Sequence, residues 1–245
     1  MKKICLITGG NRGIGLEIAR GLSQKNYQVY IGVRSTEEEK KVIEKLASEK
    51  LAVVTLPLDV SSIESIRAAF KLLSQQENRL DVLVNNAGIL ADSNLPPEEI
   101  SFDIFNSTLS INTFGPYFMV QEFLPLLKNS ADARIINMSS DLGALSQASD
   151  PNSRYDAILA PSYRISKAAL NMVTLTFAKS FRETAIKICS CSPGWCHTGL
   201  DQRVDSSKAP NTAKDGADTP IWLASEAPEN QINGHFFYKR STINW

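Results

Sequence analysis

The sequence lacks an excess of charge of either sign, and it lacks any long apolar run. Its 26 lysines and arginines balance 26 acidic residues, which gives no indication of a nucleic-acid or anionic-membrane partner. No segment approaches the ~20 apolar residues of a membrane span. The N-terminal apolar run, which glycines follow at once, is too short for a secretory signal. These absences favour a neutral cytoplasmic protein.

Cysteine and histidine are also scarce, with four cysteines and two histidines in 245 residues. Cys189 and Cys191 alternate within an apolar run, as strand residues do, which favours free buried thiols in a reducing compartment. Cys191, Cys196 and His197 are close together but lack the spacing of a zinc site. The sequence therefore predicts no metal.

What the chain does contain is a regular alternation of apolar, β-branched runs with segments of helical periodicity. The predicted strands are 4–8, 28–33, 52–58, 80–85, 133–138, 185–191 and 235–238. Nearly continuous apolar strands are typical of parallel sheets that are covered on both faces. The sequence therefore predicts an α/β fold with a doubly wound parallel sheet of about seven strands and helices on both faces.

A glycine cluster, TGGNRGIG (8–15), lies between the first predicted strand and the first predicted helix. Gly9, Gly13 and Gly15 allow a tight turn and a close approach of the backbone to a pyrophosphate. The helix N-terminus that follows would direct free N–H groups toward the phosphates. A purely structural turn is the alternative, but this position in the chain favours a dinucleotide site.

The end of the second predicted strand bears on the choice of dinucleotide. NAD-preferring sites usually place an acid there, on the ribose hydroxyls, whereas this strand is followed by Arg34. Arg12, in the glycine cluster, is a second cation expected near the same place. Because arginine matches phosphate geometry with paired donors, the sequence favours NADP(H), unless Arg34 is only a solvated residue.

Tyr163 and Lys167 stand four residues apart in the predicted helix that begins PSYRISKAAL (161–170). Residues at this spacing share one helix face. A nearby ammonium favours the phenolate, so Lys167 is predicted to lower the pKa of Tyr163 toward the range useful for proton transfer. An ordinary exposed helix pair is the alternative.

These features belong to a longer series of motifs in a fixed order. The series is TGGNRGIG (8–15), Asp59-Val60, NNAG (85–88), Asn112, Ser139-Ser140, Tyr163 with Lys167, and SPGWCHTGL (192–200). Taken together, the motifs resemble those of the compact, single-domain short-chain dehydrogenases/reductases, which have a Rossmann fold. The resemblance covers nearly all of residues 1–245, and the C-terminal part is most similar to NADPH-dependent carbonyl reductases.

The resemblance implies a role for each matching position. It implies a catalytic tetrad of Asn112, Ser140, Tyr163 and Lys167, in which Asn112 holds a bend in its helix and a water. Combined with the residues above, it gives a predicted NADP(H) site formed by Gly9, Asn11, Arg12, Gly13, Ile14, Gly15, Arg34, Asp59, Val60, Asn86, Ala87, Gly88, Tyr163, Lys167, Pro193, Gly194, Trp195 and Thr198.

The predicted reaction is hydride transfer from NADPH to a ketone or an aldehyde, with Tyr163 protonating the oxygen. The same site would also serve an NADP-dependent alcohol dehydrogenase working in the oxidative direction. A cofactor-sensing protein that has lost the chemistry is a third hypothesis. The complete tetrad favours an enzyme.

One departure from the family concerns the spacing between Ser140 and Tyr163, which is 23 positions. This exceeds the spacing in most compact members and is shorter than the long insertion of some carbonyl reductases, so a monomer and a homo-oligomer both stay open. The loops 141–162 and 197–213 are predicted to form the substrate pocket. Candidate lining residues are Leu142, Leu145, Tyr155 and Trp195, which indicate an apolar carbonyl substrate.

Overall fold

A central sheet of eight strands organises the part of the chain that the computed structural model describes, residues 2–49, 51–200 and 205–245. Its strands are β1 (Ile4–Thr8), β2 (Gln28–Val33), β3 (Val53–Pro57), β4 (Val82–Asn85), β5 (Ala133–Met138), β6 (Ile186–Cys191), β9 (Phe236–Tyr238) and β10 (Ser241–Ile243). The spatial order is β3-β2-β1-β4-β5-β6-β9-β10, and all neighbours are parallel except β9 and β10. Two short strands, β7 (Cys196–His197) and β8 (Asn211–Thr212), pair apart from this sheet.

Helices cover both faces of the sheet. They are α1 (Gly13–Gln24), α2 (Thr36–Ser48), α3 (Ile63–Gln76), α4 (Phe102–Leu109), α5 (Gly115–Lys128), α6 (Leu145–Ala148), α7 (Pro161–Ser180) and α8 (Ala213–Ser225). No helix in the described ranges has the length and apolar character needed to cross a membrane.

The core consists of two apolar clusters, one on each face of the sheet. Alternate residues of β1 point to opposite sides, so Cys5 and Ile7 join the cluster with α1, α2 and α8, whereas Ile4 and Leu6 join the cluster with α3, α5 and α7. Every residue of β1 is buried, as expected for a central parallel strand. The cysteines are free and buried, as predicted.

The predicted α/β fold with a doubly wound parallel sheet is confirmed, and the sheet has one strand more than the seven predicted runs. The additional strand is β10, an antiparallel edge strand joined to β9 by Lys239 and Arg240. Both turn residues have positive φ, at 48° and 61°. Two-residue hairpin turns of this kind usually carry asparagine or glycine, so this sequence contains no signal for the hairpin.

The loops that carry the predicted motifs leave one edge of the sheet. The strand register pairs Thr8 with Gly32, Asn85 with Asn137, and Met138 with Cys191. The carboxyl ends of β1, β2, β4, β5 and β6 therefore lie side by side, which is where ligands bind in open α/β sheets.

Candidate active site

A glycine-rich turn joins β1 to α1 at this carboxyl edge. Gly9 has φ +62°, and a Cβ there would lie 3.1 Å from the Cα of Ala87, so the position requires glycine. The side chain of Asn86 ties the turn to the end of β4, because its Nδ2 donates to the carbonyls of Thr8 and Gly9 at 2.9 and 3.0 Å. The turn is therefore fixed with its backbone exposed to the adjoining cleft.

The N-terminus of α1 differs from those of α3, α4 and α8 in its capping. Ser62, Ser101 and Thr212 cap those three helices through their side chains. Arg12, at the N-cap of α1, makes no such hydrogen bond. The first amides of α1 therefore lack a side-chain acceptor from the N-cap, and with the helix dipole they suit an anion such as a phosphate.

We name the space beside this turn the glycine-loop cleft. Its lining includes most residues of the predicted cofactor set, namely Gly9, Arg12, Gly13, Ile14, Gly15, Arg34, Asp59, Val60, Asn86, Ala87, Gly88, Tyr163, Lys167, Pro193 and Thr198. The sequence does not predict its other lining residues, which are Gly32, Leu58, Ile89, Ile111, Met138, Ser139 and Leu200. Gly32 could have been found from the parallel register, which places it beside Thr8.

Three members of the predicted cofactor set lie elsewhere. Asn11, within the glycine-rich turn, does not line the cleft, whereas Gly194 and Trp195 line the neighbouring recess described below. Gly194 has φ +72°, and a Cβ there would lie 3.0 Å from the ring of Tyr238. The positive φ and the limited space therefore favour glycine at this position, where the chain passes from the cleft to the recess.

The charged residues of the cleft include two arginines. Arg12 and Arg34 are both exposed at its lining. The Asp59 carboxylate has a local role, because its Oδ1 accepts hydrogen bonds from the amide and hydroxyl of Ser61 at 2.9 and 2.7 Å. Since β2 ends without an acid, the cleft offers guanidinium groups where an NAD site would offer a carboxylate.

Tyr163 lies in the first turn of α7, and that turn is held in place from outside the helix. Pro161 occupies the first turn, and Asp92 accepts hydrogen bonds from the amide and hydroxyl of Ser162 at 2.5 and 2.7 Å. Asp92 is fully buried, and sequence reasoning missed it. It caps α7 and so fixes the position of Tyr163.

Lys167 lies one helical turn beyond Tyr163. Its Nζ donates to the carbonyl of Met138 at 2.7 Å and lies 5.6 Å from the centroid of the Tyr163 ring. Both side chains are buried, and both line the glycine-loop cleft. Tyr163 and Lys167 therefore share a helix face that is buried and faces the cleft, and they are not an exposed pair on the helix surface.

The structure distinguishes the two adjacent serines at the end of β5. Ser139 is buried and donates to Oδ1 of Asn171 at 2.7 Å, so its hydroxyl is engaged with α7. Ser140 is partly exposed, its Oγ accepts from the amide of Leu142 at 3.2 Å, and its interaction with the Tyr163 phenol lowers the pKa of that group. This placement supports Ser140 as the serine of the predicted tetrad.

The prediction that Lys167 lowers the pKa of Tyr163 is wrong. Burial raises the pKa of Tyr163 to about 12, the hydrogen bond from Ser140 lowers it, and the charges of Asp141 and Asp92 raise it further. Burial also lowers the pKa of Lys167 to about 8. For Tyr163, the cost of desolvating the phenolate outweighs the proximity of the Lys167 amine.

Asn112 lies in a π-helical turn, Ser110–Phe114, between α4 and α5. Its Oδ1 accepts from the amide of Ile89, and its Nδ2 donates to the carbonyl of Ile89, each at 2.9 Å, and to Oγ of Ser166 at 3.0 Å. A π-helical turn thus stands where the resemblance implies a bend, and the Asn112 side chain connects it to the loop after β4 and to α7. The bound water stays a prediction.

A second cavity, here named the apolar recess, adjoins the cleft and has a volume of about 340 Å³, within the usual range for ligand pockets. Leu142, Tyr155 and Trp195 line it, as predicted, together with Ile158 and Leu159. Tyr163 lines both the apolar recess and the glycine-loop cleft. Residues 201–204 of the predicted loop 197–213 lie outside the described residues.

Leu145 does not line the apolar recess. It is 67% exposed and contributes instead to an outer recess on the other side of the 141–160 loop. The reason is α6, a short helix that begins at Leu145 and that the sequence does not predict.

Comparisons with known proteins give a consistent picture. The family described as short chain dehydrogenase matches residues 3–209. The short-chain dehydrogenase anuI of Penicillium roqueforti is 32% identical over 248 residues, which cover 99% of this chain and 96% of that protein. The short-chain dehydrogenase/reductase tropE of Talaromyces stipitatus is 33% identical over 217 residues, which cover 81% of this chain and 80% of that protein.

Two of the similar solved structures align with the whole chain. The NADPH-bound carbonyl reductase from chicken fatty liver superimposes with a TM-score of 0.85 at 29% identity, covering 100% of this chain and 99% of that one. The carbonyl reductase Sniffer of Drosophila melanogaster superimposes with a TM-score of 0.84 at 28% identity, covering 100% of both chains.

Proposed function

The chain belongs to the short-chain dehydrogenase family of oxidoreductases, and on that premise we propose that it reduces a ketone or an aldehyde to an alcohol with NADPH. The observation that carries this proposal is the position of Tyr163, which lines both the glycine-loop cleft and the apolar recess. A phenol at this junction contacts a cofactor on one side and a substrate on the other. Ser140 and Lys167 flank it.

The residues of the glycine-loop cleft fit NADP(H). The close backbone approach at Gly9 and the absence of a side-chain cap on α1 suit a pyrophosphate. Arg12 and Arg34 suit a 2′-phosphate, because guanidinium groups bind phosphates with paired donors. The similar chicken carbonyl reductase is NADPH-bound, which also supports this assignment.

The residues at the junction divide the chemistry among them. NADPH, when bound, supplies the hydride that reduces the carbonyl carbon. Tyr163 donates its phenolic proton to the carbonyl oxygen, while the hydroxyl of Ser140 donates a hydrogen bond to the same oxygen as negative charge develops there. Lys167 and the positioning residue Asn112 hold this arrangement, and a solvent proton restores the phenol.

Burial raises the pKa of Tyr163 to about 12, so the protein without cofactor holds this phenol as an acid, which is the form that carbonyl reduction uses. Because the reaction is reversible, the same residues also serve an alcohol dehydrogenase working in the oxidative direction. A purely cofactor-sensing protein has no use for the recess beside Tyr163.

The proposal is tested by the near-ultraviolet absorbance of NADPH with purified protein and a panel of aromatic aldehydes, quinones and cyclic ketones. We expect faster loss of NADPH with at least one panel member, and slower turnover with NADH. NADPH fluorescence without a carbonyl measures binding separately. Binding without turnover of any carbonyl would favour the sensor, and no binding would contradict the assignment of the cleft.

A further inference from the structure

Asp141 is the one residue with a charged side chain among the described residues that line the apolar recess. It lines the same recess as Ser140 and Tyr163, which flank the proposed position of the reacting carbonyl. Only 6% of its surface is exposed. The rest of the lining is largely apolar, with Leu142, Ile158 and Trp195 among its members. Burying a carboxylate among largely apolar side chains costs free energy, so its position requires a structural or functional explanation.

The contacts of Asp141 account for only part of its hydrogen-bonding capacity. Its Oδ2 accepts from the hydroxyl of Tyr155 at 2.6 Å and lies 3.7 Å from the guanidinium of Arg154. Its Oδ1 is buried and has no hydrogen-bond partner. A buried acceptor without a donor is unfavourable, and more so when it belongs to a charged group. The carboxylate of this lining residue therefore retains an unused acceptor, an oxygen that solvent does not reach in this conformation.

Asp92 provides an informative contrast. It is also buried and also has an unpartnered Oδ1, but its other oxygen caps α7, and it does not line the apolar recess. Asp92 has a structural role that explains its burial. Asp141 caps no helix, so capping does not explain its burial. It has an unused acceptor and lines a cavity of ligand size.

We propose that Asp141 binds a hydroxyl group of the substrate, so that the protein selects carbonyl compounds that carry a hydroxyl on an apolar framework. The proposal rests on the proposed function and specifies its substrate class. The torsion about the Cβ–Cγ bond of aspartate is soft, so we expect a rotation of the carboxylate to bring Oδ1 within reach of a donor in the recess while Oδ2 keeps its contact with Tyr155.

The charge balance favours a neutral hydroxyl over an ammonium group. Arg154 already lies within ion-pair distance of the Asp141 carboxylate, and its guanidinium also contacts the ring of Tyr155 at 4.6 Å. A second cation would compete with Arg154 for the same carboxylate. A hydroxyl supplies the missing donor without adding charge to an apolar cavity.

The test compares matched pairs of aromatic and cyclic ketones, with and without a hydroxyl substituent, including both phenolic and aliphatic hydroxyls. For each protein, the readout is the ratio of kcat/KM for the hydroxylated compound to kcat/KM for its partner. We expect a ratio of about 10 to 100 in the native protein, as for a hydrogen bond to a charged group. The type of hydroxyl that gives the larger ratio identifies the donor.

Two substitutions of Asp141 and one control complete the design. We expect a ratio near 1 in Asp141→Ala and an intermediate ratio in the isosteric Asp141→Asn, which also serves if the alanine variant fails to fold. Asp150→Asn is the matched control, because Asp150 is an exposed carboxylate of the same loop whose Oδ1 accepts from Asn152. Its ratio should equal that of the native protein.

Two outcomes would overturn the proposal. In one, the native protein reduces both members of every pair equally well. In the other, Asp141→Asn and Asp141→Ala keep the native ratio. Both outcomes leave carbonyl reduction intact, whereas a failure to reduce any ketone of either series would contradict the proposed function itself.

Discussion

The glycine-loop cleft and the apolar recess share Tyr163, yet they are built from different parts of the molecule. The cleft is lined mainly by strand ends and by the first turn of α1, whose relative positions follow from the register of the sheet. The recess is lined mainly by side chains of loops after β5 and β6. The sheet therefore determines the shape of the glycine-loop cleft, where we propose that the cofactor binds. Loop side chains determine the shape of the apolar recess, and they can vary without altering the sheet.

The strongest test of the shared residue is Tyr163→Phe. This variant removes the proton donor and keeps the ring, so we expect kcat to fall about 10²- to 10⁴-fold, the usual contribution of a positioned acid. The measurement is steady-state turnover of the best carbonyl found. NADPH binding, followed by fluorescence, is the control and should change little. Near-native turnover would show that proton transfer does not depend on Tyr163.

A change at the cleft should affect the cofactor and not the fold. In Arg34→Asp, a carboxylate replaces a cation beside the expected 2′-phosphate, so we expect the NADPH/NADH preference in Kd to fall about 10- to 100-fold. Arg182→Asp is the matched control, because Arg182 is exposed between α7 and β6, at the opposite edge of the sheet. A preference that Arg34→Asp leaves unchanged would remove Arg34 from the site.

Burial at the cleft should also appear as a pH dependence of stability. Burial lowers the pKa of Lys167 from 10.5 to about 8, so between these values the unfolded chain binds a proton that the folded protein does not. The free energy of unfolding therefore rises with pH across this window, by ~2 kcal/mol between pH 8 and pH 10. Urea unfolding at both pH values measures it.

The control for this pH effect is Lys167→Met. In this variant, the free energy of unfolding should lack the ~2 kcal/mol increase between pH 8 and pH 10 that we assign to Lys167. The decisive quantity is the difference between native protein and variant, since other groups contribute equally to both. An identical pH dependence in the two proteins would mean that Lys167 is not desolvated as its position indicates.

The smallest expected effect concerns the wall of the recess. Trp195 is half-exposed and lines the apolar recess, so Trp195→Ala should raise KM for an apolar carbonyl about 5- to 10-fold through lost contact area. Leu145→Ala is the matched control on the outer recess and should leave KM unchanged. If Leu145→Ala has the larger effect, the substrate binds on the outer side of the loop.

The same contrast explains what could be predicted from the sequence. The parallel sheet and most of the cleft were predictable because apolar strand runs and glycine spacing are local signals. The sheet and the cleft depend on residues that are close together in the chain and on the order of the strands. The alternation of strands and helices in the sequence indicates that order.

One local turn and several contacts between distant segments were not predictable. The Lys239-Arg240 turn adopts positive φ without glycine or asparagine. The 141–160 loop depends on Trp245 at the other end of the sequence, whose carbonyl accepts from the amide of Ser146. The pKa of Tyr163 depends on burial and on Asp92 and Asp141, which adjacency to Lys167 does not reveal.

The most direct test of the central claim follows the transferred atom. NADPH that carries deuterium at both hydrogen positions of the nicotinamide C4 is incubated with the protein and a carbonyl substrate, and the product alcohol is examined by mass spectrometry and NMR. Hydride transfer across the junction at Tyr163 predicts a single deuterium on the former carbonyl carbon. An alcohol without deuterium, or no alcohol from any carbonyl although NADPH binds, would contradict the account.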